Sequence, residues 1–227
     1  MSKKRKRGKR SQGGQRHWRE SQRDDPYFQR AKAEGYRARS AYKLLQIQAK
    51  FRVLRKGQAI LDLGAAPGSW SQVAAKAVGS AGKVVAVDLQ AIDPIPGVIA
   101  IQGDMTAPEV QAQMVEAVGG PVDVVLSDAA PNTSGIRLRD HAFSVALVRT
   151  ALDIARQVLR PGGHFVAKVF EGEDLPQLIA DLRQAFDTVK PFYPEATRRE
   201  GHEVFLVCKG FNLSFPDAPT ASTEGKA

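Results

Sequence analysis

The chain has 227 residues, of which 43% are hydrophobic and 25% are charged, and its formal net charge is +9. These values are typical of one globular domain with flexible ends. They exclude a membrane span, because no apolar stretch approaches the roughly 18 to 20 residues that a spanning helix needs, and the single cysteine, Cys208, excludes a disulfide framework and a cysteine-cluster zinc site.

The basic excess lies in the first quarter of the chain. Residues 1–23 contain ten Lys and Arg against Glu20, a net charge of +9; residues 24–56 add +6, and residues 57–227 sum to −6. Residues 1–23 contain too few apolar side chains to form a core. We therefore expect them to be a disordered arm that binds a polyanion. A localisation or solubility tail is the alternative. No apolar block follows the arm, which excludes a secretory signal and favours a cytoplasmic protein.

Between the arm and a flexible tail at residues 212–227, helical and strand patterns alternate, so we expect one domain over residues 24–211. The predicted helices cover residues 38–50, 69–78, 109–117, 142–158 and 174–185. The predicted strands cover residues 58–63, 83–87, 98–101, 122–126, 164–169 and 204–207. This alternation predicts an α/β fold with a mostly parallel, doubly wound sheet, whose ligand binds beyond the carboxyl ends of the strands.

The loop from Asp62 to Trp70 follows the first predicted strand and departs from the dinucleotide-binding pattern, since an acid opens it and Pro67 interrupts it. An acid beside a tight turn suits an amine or a cation better than a phosphate. At the ends of the next two strands, Asp88 can accept both hydroxyls of a ribose and Asp104 can contact an adenine amino group. Ribose, adenine and a zwitterionic amino acid together describe S-adenosylmethionine. The alternative is that the glycines only form a turn and the acids cap helices or turns.

Four separated motifs resemble those of the FtsJ-like ribose 2′-O-methyltransferases, in order and spacing, from about Tyr27 to Phe211. They are residues 37–44 (RARSAYKL), 62–72 (DLGAAPGSWSQ), 127–132 (SDAAPN) and 165–172 (FVAKVFEG). The resemblance implies a Rossmann-like, class I S-adenosylmethionine-dependent methyltransferase fold with an antiparallel last strand. It also implies methylation of a ribose 2′-hydroxyl in RNA, at a uridine of large-subunit ribosomal RNA.

Carried over by motif position, the catalytic set of this family falls on Lys43, Asp128, Lys168 and Glu203. We expect Lys168 to be central, either as the base that takes the 2′-hydroxyl proton or as a charged group that orients the oxygen. Burial or Lys43 would depress the pKa of Lys168 and favour the base, whereas the two acids would stabilise the ammonium. Taken alone, each lysine could be a solvated residue, and the assignment of Glu203 depends on the resemblance.

The resemblance also implies S-adenosylmethionine as the methyl donor. The implied binding positions are Gly68, Trp70, Asp88, Asp104 and Asp128. A lone Trp more often packs a helix, but we expect Trp70 to wall the cofactor pocket as well. Ser69 departs from the family pattern, because close bacterial relatives usually have a second glycine at this position.

The residues after Asp128 favour a hydroxyl acceptor, because Ala129, Ala130 and Pro131 offer no aromatic ring to stack on a flipped base. A methyltransferase for another acceptor and a non-catalytic RNA-binding module that kept the fold are the alternatives. The four histidines show no ligand spacing, so we expect them at the surface or in turns and expect no metal. We expect a monomer that binds ribosomal RNA within the large ribosomal subunit. We expect it not to bind a membrane.

Overall fold

The computed structural model describes residues 25–197 and 202–212, which include most of the predicted domain. The predicted basic arm at residues 1–23 lies outside the described residues, and so does the predicted C-terminal tail beyond Asn212. Within the described ranges, no helix is both long and apolar enough to cross a membrane.

Helices and strands alternate along the described chain. The helices are α1 (Pro26–Ala33), α2 (Ala41–Phe51), α3 (Ser69–Val78), α4 (Pro108–Val118), α5 (Arg137–Val158) and α6 (Leu175–Arg183). The strands are β1 (Ala59–Leu63), β2 (Lys83–Asp88), β3 (Val98–Gln102), β4 (Val122–Ser127), β5 (Leu159–Phe170), β6 (Phe186–Phe192) and β7 (Glu203–Phe211).

Two elements were absent from the sequence prediction. Helix α1 begins where the Asp25 carboxylate accepts hydrogen bonds from the amides of Tyr27 and Phe28, with Pro26 in the first turn. It is short and largely polar, so its periodicity is weak. Strand β6 includes Lys190 and Pro191 and is mostly exposed, because it lies at the edge of the sheet. Edge strands of this kind lack the apolar run by which buried strands are recognised.

The sheet has the strand order β3-β2-β1-β4-β5-β7-β6. The first five of these strands are parallel to one another, and β7 runs antiparallel to both β5 and β6. The predicted α/β class, the doubly wound parallel sheet and the antiparallel last strand are therefore confirmed. Because β7 runs the opposite way, its first residue, Glu203, pairs with Phe170 at the end of β5.

Helices cover both faces of the sheet, and each face has its own apolar core. Helices α4, α5 and α6 pack on one face, and α2 and α3 pack on the other. The largest fully buried side chains include Trp70, Phe165, Phe186 and Phe205, and full burial of a large apolar side chain stabilises the fold by about 1.5–3 kcal/mol. The two layers leave only the strand ends and their loops free to form a site.

Candidate active site

The amine of Lys168 lies at the carboxyl edge of the sheet, between two acids. Its Nζ is 2.9 Å from Oδ1 of Asp128, donates a hydrogen bond to the Asp128 backbone carbonyl at 2.8 Å, and is 3.9 Å from Oε1 of Glu203. The register explains this meeting. Ser127, at the end of β4, pairs with Ala167, so that Asp128 emerges beside Lys168.

Lys43 completes the cluster from the other side. It lies in α2, and its Nζ donates a hydrogen bond to Oε2 of Glu203 and stands 5.6 Å from the ring centre of Phe205. Glu203 therefore faces one lysine with each of its carboxylate oxygens. The structure brings together all four residues of the predicted catalytic set, two cations and two anions, although they come from four separate segments of the chain.

Both lysines are largely withdrawn from water. Lys43 is 9% exposed and Lys168 is 7% exposed. Burial alone would lower the pKa of Lys168, but the charges of Asp128 and Glu203 and the hydrogen bond to Asp128 outweigh it, so the pKa lies above its ordinary value of 10.5. This direction favours the ammonium form of Lys168 in the free protein.

The predicted cofactor loop packs against β4 and β2. Gly64 has a φ of +68°, and a Cβ there would lie 2.6 Å from Cα of Ala129, so only glycine allows this approach. Asp88 holds the loop, because one of its oxygens accepts a hydrogen bond from the amide of Ala66 at 2.9 Å and the other from the amide of Gln90 at 2.8 Å. A carboxylate that orders the loop in this way still has lone pairs for a ribose.

Asp62 lies beneath the same loop and is completely buried. Its Oδ2 accepts a hydrogen bond from the Ser71 hydroxyl at 2.6 Å, whereas its Oδ1 has no hydrogen-bond partner among the described residues. Burial raises its pKa to about 7 against the opposing bond from Ser71, and the negative charges of Asp128 and Asp88 add to the rise. An orphaned carboxylate oxygen at this depth fits a cationic ligand such as the ammonium or sulfonium of S-adenosylmethionine.

The other predicted cofactor residues have clear structural partners. Asp104 is exposed and accepts hydrogen bonds from the amide and hydroxyl of Thr106, bonds that lower its pKa. Trp70 is 1% exposed, donates its indole N–H to the Ser40 carbonyl at 2.9 Å and packs 5.6 Å from Phe205. Its ring thus packs in the core, as a lone Trp commonly does, and its role at the cofactor pocket stays a prediction.

A strap of hydrogen bonds that the sequence did not predict joins the segment before α2 to the cofactor loop. The Arg37 guanidinium donates to the carbonyls of Pro67, Asp93 and Pro94 at 2.8–2.9 Å, and its backbone amide donates to the Gln72 side chain at 2.9 Å. Arg37 therefore ties the loop after β1 to the loop after β2. The only signal for it was its place in the first motif.

Ser69 strengthens this connection. Its buried hydroxyl lies 2.7 Å from the hydroxyl of Ser40, one residue before α2. The departure from the family glycine therefore does not open the turn. It adds a hydrogen bond between the cofactor loop and the helix that carries Lys43.

His141 contradicts the expectation that the histidines lie at the surface or in turns. It is 2% exposed, its Nδ1 is 2.8 Å from the Phe170 carbonyl, and its Nε2 accepts a hydrogen bond from the Asp174 amide at 3.2 Å. Its ring fills the space above Gly172, where a Cβ would lie 2.4 Å from it. The described residues contain no cluster of His, Cys, Asp and Glu that could hold a metal ion.

This fold and this site define the class of Rossmann-like methyltransferases. The family model for FtsJ-like methyltransferases matches residues 36–211, and the chain belongs to that family. The chain is 48% identical over 198 residues to the ribosomal RNA large subunit methyltransferase E of Marinobacter nauticus, covering 87% of this chain and 96% of that protein. It is 50% identical over 185 residues to the protein of the same name from Methanothrix thermoacetophila, covering 82% and 72%.

A solved structure supports the same assignment. A ribosomal RNA methyltransferase from Plasmodium falciparum superposes with a TM-score of 0.71 at 32% identity, covering 78% of this chain and 98% of that one. The chain is therefore an S-adenosylmethionine-dependent methyltransferase, which confirms the predicted enzyme class and methyl donor. The roles of the individual site residues stay predictions.

Proposed function

We propose that this enzyme methylates the 2′-hydroxyl of a ribose in large-subunit ribosomal RNA, at a uridine, in the cytoplasm. One observation carries the proposal: the Lys168 amine lies between Asp128 and Glu203, at the strand edge beside the glycine turn. For a hydroxyl group to be methylated, its oxygen must be oriented and its proton must be taken up. The Lys168 ammonium can orient the oxygen, and a carboxylate of the cluster can take up the proton. The names of the relatives supply the RNA class.

We assign the cofactor contacts to residues around the turn. Asp88 would bind the ribose of S-adenosylmethionine, Asp104 its adenine, and the backbone at Gly68 and Trp70 its amino acid part, with Asp128 adjoining it. The fit rests on the orphaned Asp62 oxygen and on the glycines that keep the turn free of side chains. When bound, the cofactor supplies an electrophilic methyl group on a sulfonium.

The four residues Lys43, Asp128, Lys168 and Glu203, here called the tetrad, position the acceptor ribose and accept the proton of its 2′-hydroxyl. The Lys168 ammonium donates a hydrogen bond to the 2′-oxygen and holds one of its lone pairs toward the methyl group. Because Lys168 already carries its proton, the proton of the 2′-hydroxyl would pass to the carboxylate of Asp128 or Glu203 and then to solvent. Lys43 neutralises the second carboxylate charge and fixes Glu203 in place.

The proposal is tested by incubating the full chain with isotopically labelled S-adenosylmethionine and large ribosomal subunits that lack the modification. We expect label in ribosomal RNA, and alkaline hydrolysis should leave one dinucleotide uncleaved, because a 2′-O-methyl group blocks cleavage at its own linkage. Label that is released on a base, on protein or on a small molecule would overturn the proposal. Donor binding without turnover would support the RNA-binding module instead.

A further inference from the structure

An exposed patch of apolar and basic side chains lies at the start of α5. We define it as the α5 patch, made of Ile136, Arg137, Leu138, Arg139 and Phe143. Ile136, Leu138 and Phe143 are 60%, 69% and 49% exposed. Exposed apolar surface on a soluble protein often marks an interaction site, because leaving apolar side chains in water is unfavourable.

The patch carries positive charge that nothing in the described ranges neutralises by an ion pair. Neither Arg137 nor Arg139 is within salt-bridge distance of an acid there, whereas other arginines of the molecule, such as Arg149 and Arg160, are paired. The Arg139 guanidinium lies 5.4 Å from the ring centre of Phe143, one helical turn away. Arg139 and Phe143 therefore form a cation–π pair, and guanidinium and aromatic groups are those on which nucleic-acid bases stack.

The patch is anchored to the catalytic edge of the sheet. Asp140, in the same helical turn, is buried and accepts hydrogen bonds from the amide and hydroxyl of Ser134 and from the amide of Gly135. These bonds shape the loop that leads from Asp128 to α5. The next residue, His141, contacts the carbonyl of Phe170, two residues beyond Lys168. The α5 patch is therefore fixed to the loop that follows Asp128 and to β5, the strand that carries Lys168.

We propose that the α5 patch binds the single-stranded RNA next to the target nucleotide. Arg137 and Arg139 contact phosphates, and an unpaired neighbouring base stacks on Phe143, with Ile136 extending its apolar contact. This inference rests on the proposed RNA substrate. A protein partner is the weaker alternative, because two arginines without an ion-pair partner among the described residues, near the sheet edge where the ribose would be methylated, complement a polyanion.

The test uses the full chain with charge and shape variants. The double variant Arg137→Glu/Arg139→Glu removes the phosphate contacts. Phe143→Ala removes the aromatic ring, and Phe143→Leu keeps an apolar side chain without the aromatic face. The matched control is Arg183→Glu/Lys190→Glu, an equal change of charge at exposed positions of α6 and β6. Melting temperatures verify that each variant is folded.

With deproteinised large-subunit RNA, we expect the Arg137→Glu/Arg139→Glu variant to raise KM for RNA at least tenfold relative to the control. The affinity for S-adenosylmethionine and kcat at saturating RNA should change less than about twofold. The slope of log affinity against log salt should fall by about 1 to 2, because two phosphate contacts are lost. Phe143→Ala should raise KM for RNA more than Phe143→Leu does.

Two results would overturn the proposal, and a third would overturn only the proposed function. If the patch variants match the control in RNA affinity, the patch does not bind RNA. If they act normally on deproteinised RNA but fail on assembled particles, the patch contacts a ribosomal protein. If the wild-type chain methylates no ribose, the proposed function fails, yet direct RNA-binding titrations of the same variants still decide whether the α5 patch holds RNA.

Discussion

Glu203 accepts a hydrogen bond from Lys43, a residue 160 positions earlier in the chain, and this contact joins helix α2 to the first residue of β7. The other oxygen of the same carboxylate faces Lys168 at 3.9 Å. Helix α2 therefore affects the electrostatic environment of Lys168, because Lys43 of α2 holds the Glu203 carboxylate in place. Hydrogen bonds also join the segment before α2 to the cofactor loop and the start of α3. The same segment therefore links the predicted catalytic residues to the predicted cofactor-binding loop.

Replacing Glu203 by Gln should slow the chemical step without weakening donor binding. The neutral amide removes one of the two charges that hold Lys168 as an ammonium, and it leaves Lys43 without its anion. We expect kcat to fall by roughly 10- to 100-fold, which corresponds to about 1.4–2.8 kcal/mol. Single-turnover kinetics with ribosomal subunits measure this, and titration calorimetry measures the donor affinity. Glu195→Gln, at an exposed position, is the control, and equal rates for the two variants would contradict the role of Glu203.

Removing the Lys168 amine should abolish the reaction while the fold and donor binding persist. In Lys168→Ala we expect kcat to fall at least about 10³-fold, since the 2′-oxygen loses its orienting donor. Lys190→Ala, on the exposed edge strand, should be fully active. Near-normal turnover of Lys168→Ala would show that the assignment of Lys168 is wrong.

The pH profile of the wild-type enzyme separates the two roles of Lys168. Its raised pKa keeps the amine charged throughout the neutral range, so kcat should be flat between about pH 6 and 9. A neutral lysine base would instead produce a rising limb with a midpoint inside that range. Solvent-isotope and single-turnover controls ensure that the plateau reports the chemical step and not product release.

The sequence predicted the parallel part of the sheet well, because strands buried on both faces are continuous apolar runs. Three residues of the predicted catalytic set lie in the four motifs and Glu203 was assigned by the resemblance, yet the sequence could not show that Glu203 faces both lysines. That contact depends on the antiparallel register of β5 and β7, in which Phe170 pairs with Glu203. Such pairings follow from long-range packing and not from local propensity.

Residues whose importance lies in hydrogen bonds to distant backbone were the ones that sequence reasoning missed. Arg37 resembles any other basic residue of the first quarter of the chain, but its three bonds go to carbonyls 30, 56 and 57 residues away. His141 was expected at the surface because nothing in its neighbours predicts that Gly172 leaves room for its ring. The contact of Trp70 with Phe205 was likewise not predictable from its neighbours, since Phe205 belongs to the last strand.

Asp62 should make the stability of the free protein depend on pH. Its pKa is about 7 in the folded state against an ordinary 3.8, so the folded state keeps a proton that the unfolded chain releases. Between about pH 4 and 7 the free energy of unfolding should therefore fall as pH rises, by about 4 kcal/mol in total, and the effect should level off above pH 7.

Asp62→Asn removes this titration, and its stability curve should be flatter than that of the wild type over the same range. Denaturant unfolding at half-unit pH steps measures the difference. Ser71→Ala is the companion variant: losing the bond that favours the carboxylate should raise the pKa of Asp62 further and extend the slope to higher pH. Parallel curves for wild type and Asp62→Asn would show that Asp62 is ionised in the folded protein.

Arg37→Ala should weaken the binding of S-adenosylmethionine more than it weakens the fold. The variant frees the carbonyls of Pro67, Asp93 and Pro94, so the loops after β1 and β2 lose their common donor and must be ordered when the cofactor binds. We expect the Kd for the donor to rise about tenfold and kcat at saturating donor to stay within a few-fold. Arg30→Ala, which removes an exposed pair with Glu34 and a contact with the Tyr42 ring, is the matched control. Calorimetric titration measures both, and an unchanged Kd in Arg37→Ala would show that the cofactor loops keep their shape without the strap.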